Sequence, residues 1–419
     1  MPLVPVHGGL DQPVDRTLPL SRRPALAAEA AGWPKVLVEE AELTTLRRIA
    51  DGTLSPLEGP MVDEEYDRVL AEGHIVRGGR RFAWTIPIAL PVHEEEARRL
   101  IRGRPAALYD AQGQLAGVLE VESVYAWDKA RWIERIYRTR RTDHPGADIA
   151  LGDARTHLVG GRVSMFPAPY DVRFGQYLLS PLQTRALIAT RRWEAALAFQ
   201  TRNPLHRAHE YALVYGVETL TRRGLFAGVV LQPLVGQLKG DDVDAETRMK
   251  TYEVLLRRKL LGQGDVDRAL WERVGYELHD VFALVGLDMR MYYGGPSEAV
   301  MHAIYRQNHG FSHIVIGRKH ADAPYRDGTP IWGDFDAQQV FSALGGELAI
   351  EPLPVGYAAY YESIGRVDLT DNHPDEKPVS ISGTRIREML LAGQRPDPRI
   401  MRPETADILI EAYRARADG

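Results

Sequence analysis

From about residue 177 onward, short strand-like apolar runs alternate with longer helix-like ones, and few folds accept that order. AALAF precedes a helical pattern ending near Gly224, and AGVVLQPL precedes one from about Ala245 to Leu261. HDVFALVGL then precedes PSEAVMHAIYRQNHG, and SHIVIG follows. This β-loop-α repetition predicts an α/β fold with a parallel, doubly wound sheet. Ser180-Pro181 opens the region as an N-cap with proline at the first helical position.

The chain before this point is punctuated by Pro and Gly and carries short apolar stretches such as RFAWTIPIAL. PAALYDAQGQLAGVLEVESV alternates around a turn at Asp110–Gly113, the pattern of a hairpin. A β-rich, barrel-like N-terminal domain is expected, with GGRVSMFPAPYDVRFGQ (160–176) as its boundary. Towards the end, VSISGTRIREMLLAG (379–393) reads as a short strand, then a helix capped near Ser382 and closed by Gly393; a final helix covers roughly Pro403–Ala415. The division is 1–170, 171–335 and 336–419, in keeping with a prior of about three domains for this length. There is no internal repeat and no low-complexity tract.

With 44% hydrophobic and 26% charged residues the chain can bury a substantial core. A net charge of −5 is mild for 419 residues and argues against nucleic acid or a membrane surface as the main partner. The absence of cysteine excludes disulfides, thiolate zinc sites and a cysteine nucleophile. MPLVPVHGGLDQ lacks the regions of a signal peptide, and no apolar run approaches the ~18–20 residues that span a bilayer. A cytoplasmic location is the reading.

In a doubly wound sheet, ligands sit beyond the carboxyl ends of the strands. Three polar loops fall there: QTRNPLHRAH, QPLVGQLKGDDVD and GRKHADAPYRDG. In the first, Pro204 suits an early helical position, which puts His206 and His209 at i and i+3 on one helix face. Free N–H groups at a helix start favour phosphate, and Arg202 adds a bidentate oxyanion donor just ahead. Two other readings stay open: a metal site, although HRAHE follows neither zincin order, or two solvated histidines on an amphipathic helix. ISGTRIRE is a second helix start, where Ser382, Thr384 and Arg385 either grip a ligand or simply cap a helix. Lys239 with Asp241, Asp242 and Asp244 is either a cluster near Mg²⁺ or a solvated turn, and Asp334 with Asp336 carries the same two readings.

Taken together, these residues resemble the ATP sulfurylase (sulfate adenylyltransferase) family. QTRNPLHRAHEYAL resembles its long Q-[TV]-R-N-P-x-H-x-x-H signature, and the likeness continues through LVGQLKGDDVDAETRMKTYEVLL, GGPSEAVMHAIYRQNHG, IGRKHADAP, FDAQQVFSALG and VSISGTRIREML. Upstream, HGGL, LSPLEGPM, TIPIAL, HPG and LVGG fall in family order, and RPETADILIEAYR resembles the short ending without an appended kinase domain. The resemblance implies a Rossmann-like nucleotidyltransferase domain, a PUA-like N-terminal domain and a small α+β C-terminal domain completing the nucleotide site. It implies that sulfate attacks the α-phosphorus of MgATP in line, giving adenylyl sulfate and pyrophosphate with no covalent enzyme intermediate. Carried over by position, Gln200 and Arg202 hold sulfate with the backbone near Ala321, while Thr201 and Asn203 steady the α-phosphate. His206 and His209 face the ATP phosphates, Arg318 holds a phosphate, and the loop near Ile381 lies against the base. Mg²⁺ accompanies ATP, zinc is not expected, no metal ligands are assigned, and a homo-oligomer is implied.

Four positions depart from the family. GRKHAD stands where GRDHAG is usual, so Lys319 replaces an aspartate and Asp322 a glycine; Ser297 stands where arginine is frequent, and Gln232 where histidine is. Either Lys319 and Asp322 pair and leave the anion site intact, or they change which oxyanion is accepted. An adenylyltransferase with another acceptor, and a non-catalytic nucleotide- or anion-binding relative, therefore stand beside the leading reading.

Overall fold

A computed structural model describes residues 3–235 and 243–417. Lys239, Asp241 and Asp242 lie outside the described residues. The strands in chain order are β1 (Lys35–Leu37), β2 (His74–Arg77), β3 (Arg80–Ala83), β4 (Leu90–Val92), β5 (Pro105–Tyr109), β6 (Leu115–Ala126), β7 (His157–Met165), β8 (Ala195–Thr201), β9 (Ala227–Pro233), β10 (Phe282–Leu284), β11 (His313–Ile316) and β12 (Glu351–Pro354).

β8 to β12 form one sheet in the order β10-β9-β8-β11-β12, with every pair parallel. Side chains alternate across a strand, so each face has its own core. Leu197, Phe199, Val229 and Leu231 pack with Leu213, Val217 and Leu220 of the helix Arg207–Arg222, and with Met249, Tyr252 and Leu255 of the helix Ala245–Arg257. On the other face Ala196, Ala198, Val230 and Ile314 meet Ile188 of the helix Pro181–Arg191 and Ala299 and Ala303 of the helix Pro296–Asn308. Each fully buried Leu, Val or Phe contributes about 1.5–3 kcal/mol, so this double burial dominates the stability of the sheet.

Local signals place the helix ends well. Ser180 accepts from the Gln183 N–H in a capping box, Asp244 from Thr247, and Ser382 from Arg385. The Ala245 helix nevertheless stops at Arg257, short of the expected Leu261, because Lys259 turns to positive φ. The strand expected before Ser382 is reduced to one bridge between Val379 and Tyr360.

The N-terminal part is built on a five-stranded sheet, β1-β5-β6-β7-β4, and the β5–β6 hairpin turns where Asp110–Gly113 predicts. Two expectations are corrected. The pairing ends at β1 and β4, so hydrogen bonds do not close a barrel, and residues 160–165 lie inside β7, leaving only 166–176 irregular. This part also carries the helices Glu40–Ala50, Asp63–Glu72 and Lys129–Tyr137. Its core is continuous with Val300, Met301, Ile304 and Tyr305 of the Pro296 helix. The buried Glu42 carboxylate spans the same junction, accepting from Arg155 at 3.3 Å and Arg290 at 2.8 Å.

Candidate active site

Chain order reverses between β8 and β11, which opens a crevice beyond their carboxyl ends. A cleft of about 310 Å³ lies there, lined by Gln200, His206, His209, Arg318, His320 and Tyr357 among others. Two of the three polar loops therefore meet, although more than a hundred residues separate them in sequence.

The turn after β8 is held from below. The Thr201 hydroxyl donates to the Asn203 carbonyl at 3.0 Å and accepts the Asn203 N–H at 3.2 Å. Arg248 donates to the Arg202 carbonyl at 3.0 Å, and the Tyr252 hydroxyl to the Asn203 carbonyl at 2.8 Å. Sequence reasoning missed these two residues. Their signal was an arginine and a tyrosine one turn apart on the apolar face of the Ala245 helix, where both are fully buried.

Three polar atoms in this region are buried without a hydrogen-bond partner among the described residues: Gln200 Oε1, Arg202 Nη1 and His209 Nδ1. Burying such groups unpaired costs roughly 1–3 kcal/mol each, more for a charge. Gln200 and His209 line the cleft, which marks it as a place shaped for a polar ligand. The Arg202 guanidinium sits 5.4 Å from the Tyr293 ring centroid.

The histidines differ from the expected arrangement. The helix starts at Arg207, so Pro204 precedes it and His206 is the N-cap residue. Proline at 204 does not occupy the first turn because His206 is extended, with φ −103° and ψ 167°. The two rings still share a face, stacked with centroids 3.8 Å apart. Burial pushes His206 down to about 4, and burial plus its neighbour pushes His209 well below the usual imidazole range. Near neutral pH both rings are uncharged, so they act through N–H and lone pair, while Arg202 and Arg318 supply the cations.

On the β11 side, Lys319 and Ala321 sit at positive φ, 50° and 55°, and the Ala321 carbonyl accepts the Gly295 N–H at 3.1 Å. Left-handed backbone at non-glycine residues costs roughly 1 kcal/mol or more and points successive N–H groups into a concavity. Arg318 lies 3.9 Å over the Tyr357 ring and 3.3 Å from Asp334, which also accepts from the Tyr357 hydroxyl at 2.7 Å. Lys319 pairs with Asp334 at 3.5 Å, so the expected pairing with Asp322 is replaced by one across the loop. Asp322 is half-buried, its Oδ1 has no partner among the described residues, and burial raises its pKa.

Other singled-out residues fall elsewhere. Asp244 caps its helix, Asp336 accepts from the Gly333 N–H, and His7 is buried against Asn308 and Ala83. Ser297 donates to the Ile136 carbonyl, and Gln232 accepts from Arg306 at 2.9 Å. Ile381 is not among the residues lining the cleft. The helix Gly383–Leu391 that follows it packs instead on the helix Pro403–Ala417 through Leu390, Ala406 and Leu409.

Gly295 starts the Pro296 helix and holds the loop after β11 through its bond to Ala321. It adopts φ 51° and ψ −121°, and a Cβ there would stand 2.4 Å from the Trp332 ring. Gly295→Ala is therefore expected to cost about 1–3 kcal/mol from the backbone alone. Urea denaturation checks this, and an unchanged midpoint would mean that the loop is not held as described.

A parallel sheet of this order, with oxyanion donors and uncharged histidines near its reversal point, is the arrangement of an α/β protein that takes an anionic ligand beyond its strand ends. Comparison with known proteins narrows the class. Residues 175–412 match the ATP-sulfurylase family model and residues 4–168 a PUA-like domain. The chain belongs to the ATP-sulfurylase family. It is 51% identical to a sulfate adenylyltransferase of Pyropia yezoensis over 98% of this chain and 97% of that one. It is 36% identical to a sulfate adenylyltransferase of Symbiobacterium thermophilum, over 98% and 96% respectively. Its fold matches a solved structure titled hexameric APS kinase from Thiobacillus denitrificans, with TM-score 0.71 and 20% identity over 98% of this chain and 68% of that one. No helix among the described residues is long and apolar enough to cross a membrane.

Proposed function

We propose that the chain transfers the adenylyl group of MgATP to sulfate, forming adenylyl sulfate and pyrophosphate. A sulfate oxygen attacks the α-phosphorus in line, the bond to the β-phosphate bridging oxygen breaks, and pyrophosphate leaves with that oxygen. Sulfate carries no proton to remove, so the task is positioning and charge stabilisation. The observation that carries this reading is that Gln200 Oε1 and His209 Nδ1, whose residues line the crevice, and Arg202 Nη1, two residues on from Gln200, have no hydrogen-bond partner among the described residues. Gln200 and Arg202 hold sulfate with the backbone near Ala321. Thr201 and Asn203 steady the α-phosphate, and His206 and His209 bend the polyphosphate. Arg318 exchanges Asp334 for a phosphate, and the turn at Ile381 closes on the base.

In this reading the sheet is doubly wound and Rossmann-like, 171–335 is the catalytic domain, 1–170 the PUA-like domain, and 336–419 a small domain completing the nucleotide site. Magnesium arrives as part of MgATP, held by phosphate oxygens and water. No zinc site is proposed for a chain without cysteine. The enzyme works in the cytoplasm as a homo-oligomer, without nucleic-acid or membrane partners; the hexamer named in the solved relative's title supports assembly. The partnerless Asp322 oxygen favours a second reading, in which acceptor choice is shifted to another oxyanion.

The test is pyrophosphate release from MgATP with sulfate, with selenate or molybdate, and with no acceptor. Release that depends on sulfate, with adenylyl sulfate recovered, is expected. Release only with another oxyanion would favour the second reading, and no acceptor-dependent release would overturn both.

A further inference from the structure

Behind the cleft, three titratable side chains form a line that the proposed reaction does not use. Glu298 and His302, one turn apart on the Pro296 helix, are both fully buried. Glu298 Oε1 stands 3.4 Å from His302 Nε2, and His302 Nδ1 is 2.9 Å from His320 Nε2. His320 lines the cleft, and with Nε2 engaged its Nδ1 is the ring nitrogen left for a ligand. The Glu298 carboxyl also accepts the N–H groups of Tyr292 at 2.8 Å and Gly294 at 3.0 Å. The Glu298–His302 gap is long for a hydrogen bond, and His302 Nε2 has no other partner among the described residues.

A neutral imidazole carries one N–H, so the line has two settings. With Glu298 ionised, His302 donates from Nε2 and accepts at Nδ1. His320 then donates from Nε2 and turns a bare Nδ1 towards the cleft. With one proton added to Glu298, the carboxylic acid donates to His302 Nε2, and the His302 proton sits on Nδ1 and is donated to His320 Nε2. His320 now carries its own proton on Nδ1 and presents an N–H to the cleft. Both rings stay neutral throughout, and the added proton neutralises the buried carboxylate.

An anion in the cleft favours the second setting twice, by gaining a donor and by losing a nearby negative charge. The surroundings permit the change. Burial holds Glu298 up at about 7, against the pull of its two backbone donors and of His320 and Arg202. Burial and the neighbouring Arg306 cation hold His302 well below the usual range; burial first, then His302 and Arg306, hold His320 at about 3. The phenols of Tyr137, Tyr292 and Tyr305, facing Glu298 from the Lys129 helix, the preceding loop and the same helix, stay protonated through burial. Gln232 on β9 is neutral and engages Arg306.

We propose that Glu298, His302 and His320 form a relay through which an anion binding in the cleft takes up one proton and makes His320 Nδ1 a hydrogen-bond donor. The relay rests on the reading of this cleft as the adenylyl sulfate site. His320 touches the ligand, while His302 and Glu298 are positioning residues.

Adenylyl sulfate binding without pyrophosphate, which prevents turnover, is the test, by calorimetry at pH 7.5–8.5 in two buffers of unlike ionisation enthalpy. The wild-type protein is expected to take up close to one proton, and its affinity to fall towards tenfold per pH unit over this range. His302→Leu, which keeps only the through-space effect of the anion on Glu298, is expected to take up clearly less than the wild-type protein and to bind with a flatter pH profile. His320→Asn, which keeps a donor that does not titrate, is expected to bind with a flatter pH profile than the wild-type protein, whatever its absolute affinity. A merely structural role would weaken binding equally at every pH. Binding without proton uptake by the wild-type protein overturns the relay alone, as does undiminished uptake in His302→Leu. No binding of adenylyl sulfate at all overturns the functional reading and the relay with it. The wild-type arm decides the matter even if a variant fails to fold.

Discussion

Arg402→Ala is expected to destabilise the protein by about 3–5 kcal/mol, the range for removing one partner of a buried ion pair. Glu210 is 0% exposed, and Arg402 donates from Nε to both its oxygens at 2.9 Å, with Nη2 at 2.8 Å. The Gly262 N–H also donates to that carboxylate, at 3.0 Å. Truncation therefore leaves a carboxylate inside the core beside His209. The loss should depend on pH. Burial already raises the Glu210 pKa, and removing the guanidinium raises it further. A folded state that holds its proton more tightly than the unfolded chain gains stability as pH falls. The deficit of the variant is thus larger at pH 8 than at pH 5. Urea midpoints at the two values check the sign. A pH-independent loss below 1 kcal/mol would mean that the pair is well solvated. The double variant Glu210→Gln/Arg402→Met should recover part of the loss, because no charge is then left buried.

Arg202→Ala should show the opposite balance, lowering adenylyl sulfate formation by about 10²–10³-fold, the cost of deleting one preorganised oxyanion donor. Its Nη1 is buried without a hydrogen-bond partner among the described residues, so the folded protein loses little when it goes, and the thermal midpoint should hold or rise. Lysine at 202 should not restore the rate, since a point charge lacks the planar fork. Initial rates and thermal unfolding on the same preparations separate the two effects. A variant with near wild-type rate would remove Arg202 from the oxyanion site.

Much of this protein was legible in its sequence because the signals were local. Apolar runs of one period and caps at Ser180, Asp244 and Ser382 depend on neighbours a few residues away, and the structure repeats them. The 200–209 and 317–321 segments could be singled out for the same reason, since their polar density stands against apolar flanks. The misreadings sit where a distant partner decides. His206 became an N-cap rather than a first-turn residue, and Lys319 found Asp334 rather than Asp322. Arg248 and Tyr252 looked like ordinary helix residues until packing carried them under the turn after β8. The sequence by itself determined the alternation of strands and helices, the caps and the polar loops. Only the tertiary structure decided which loops meet, which histidines lose their charge and which buried groups stay without partners. Burial and long-range pairing sum over contacts between residues far apart in the chain, and no short window of sequence contains that sum.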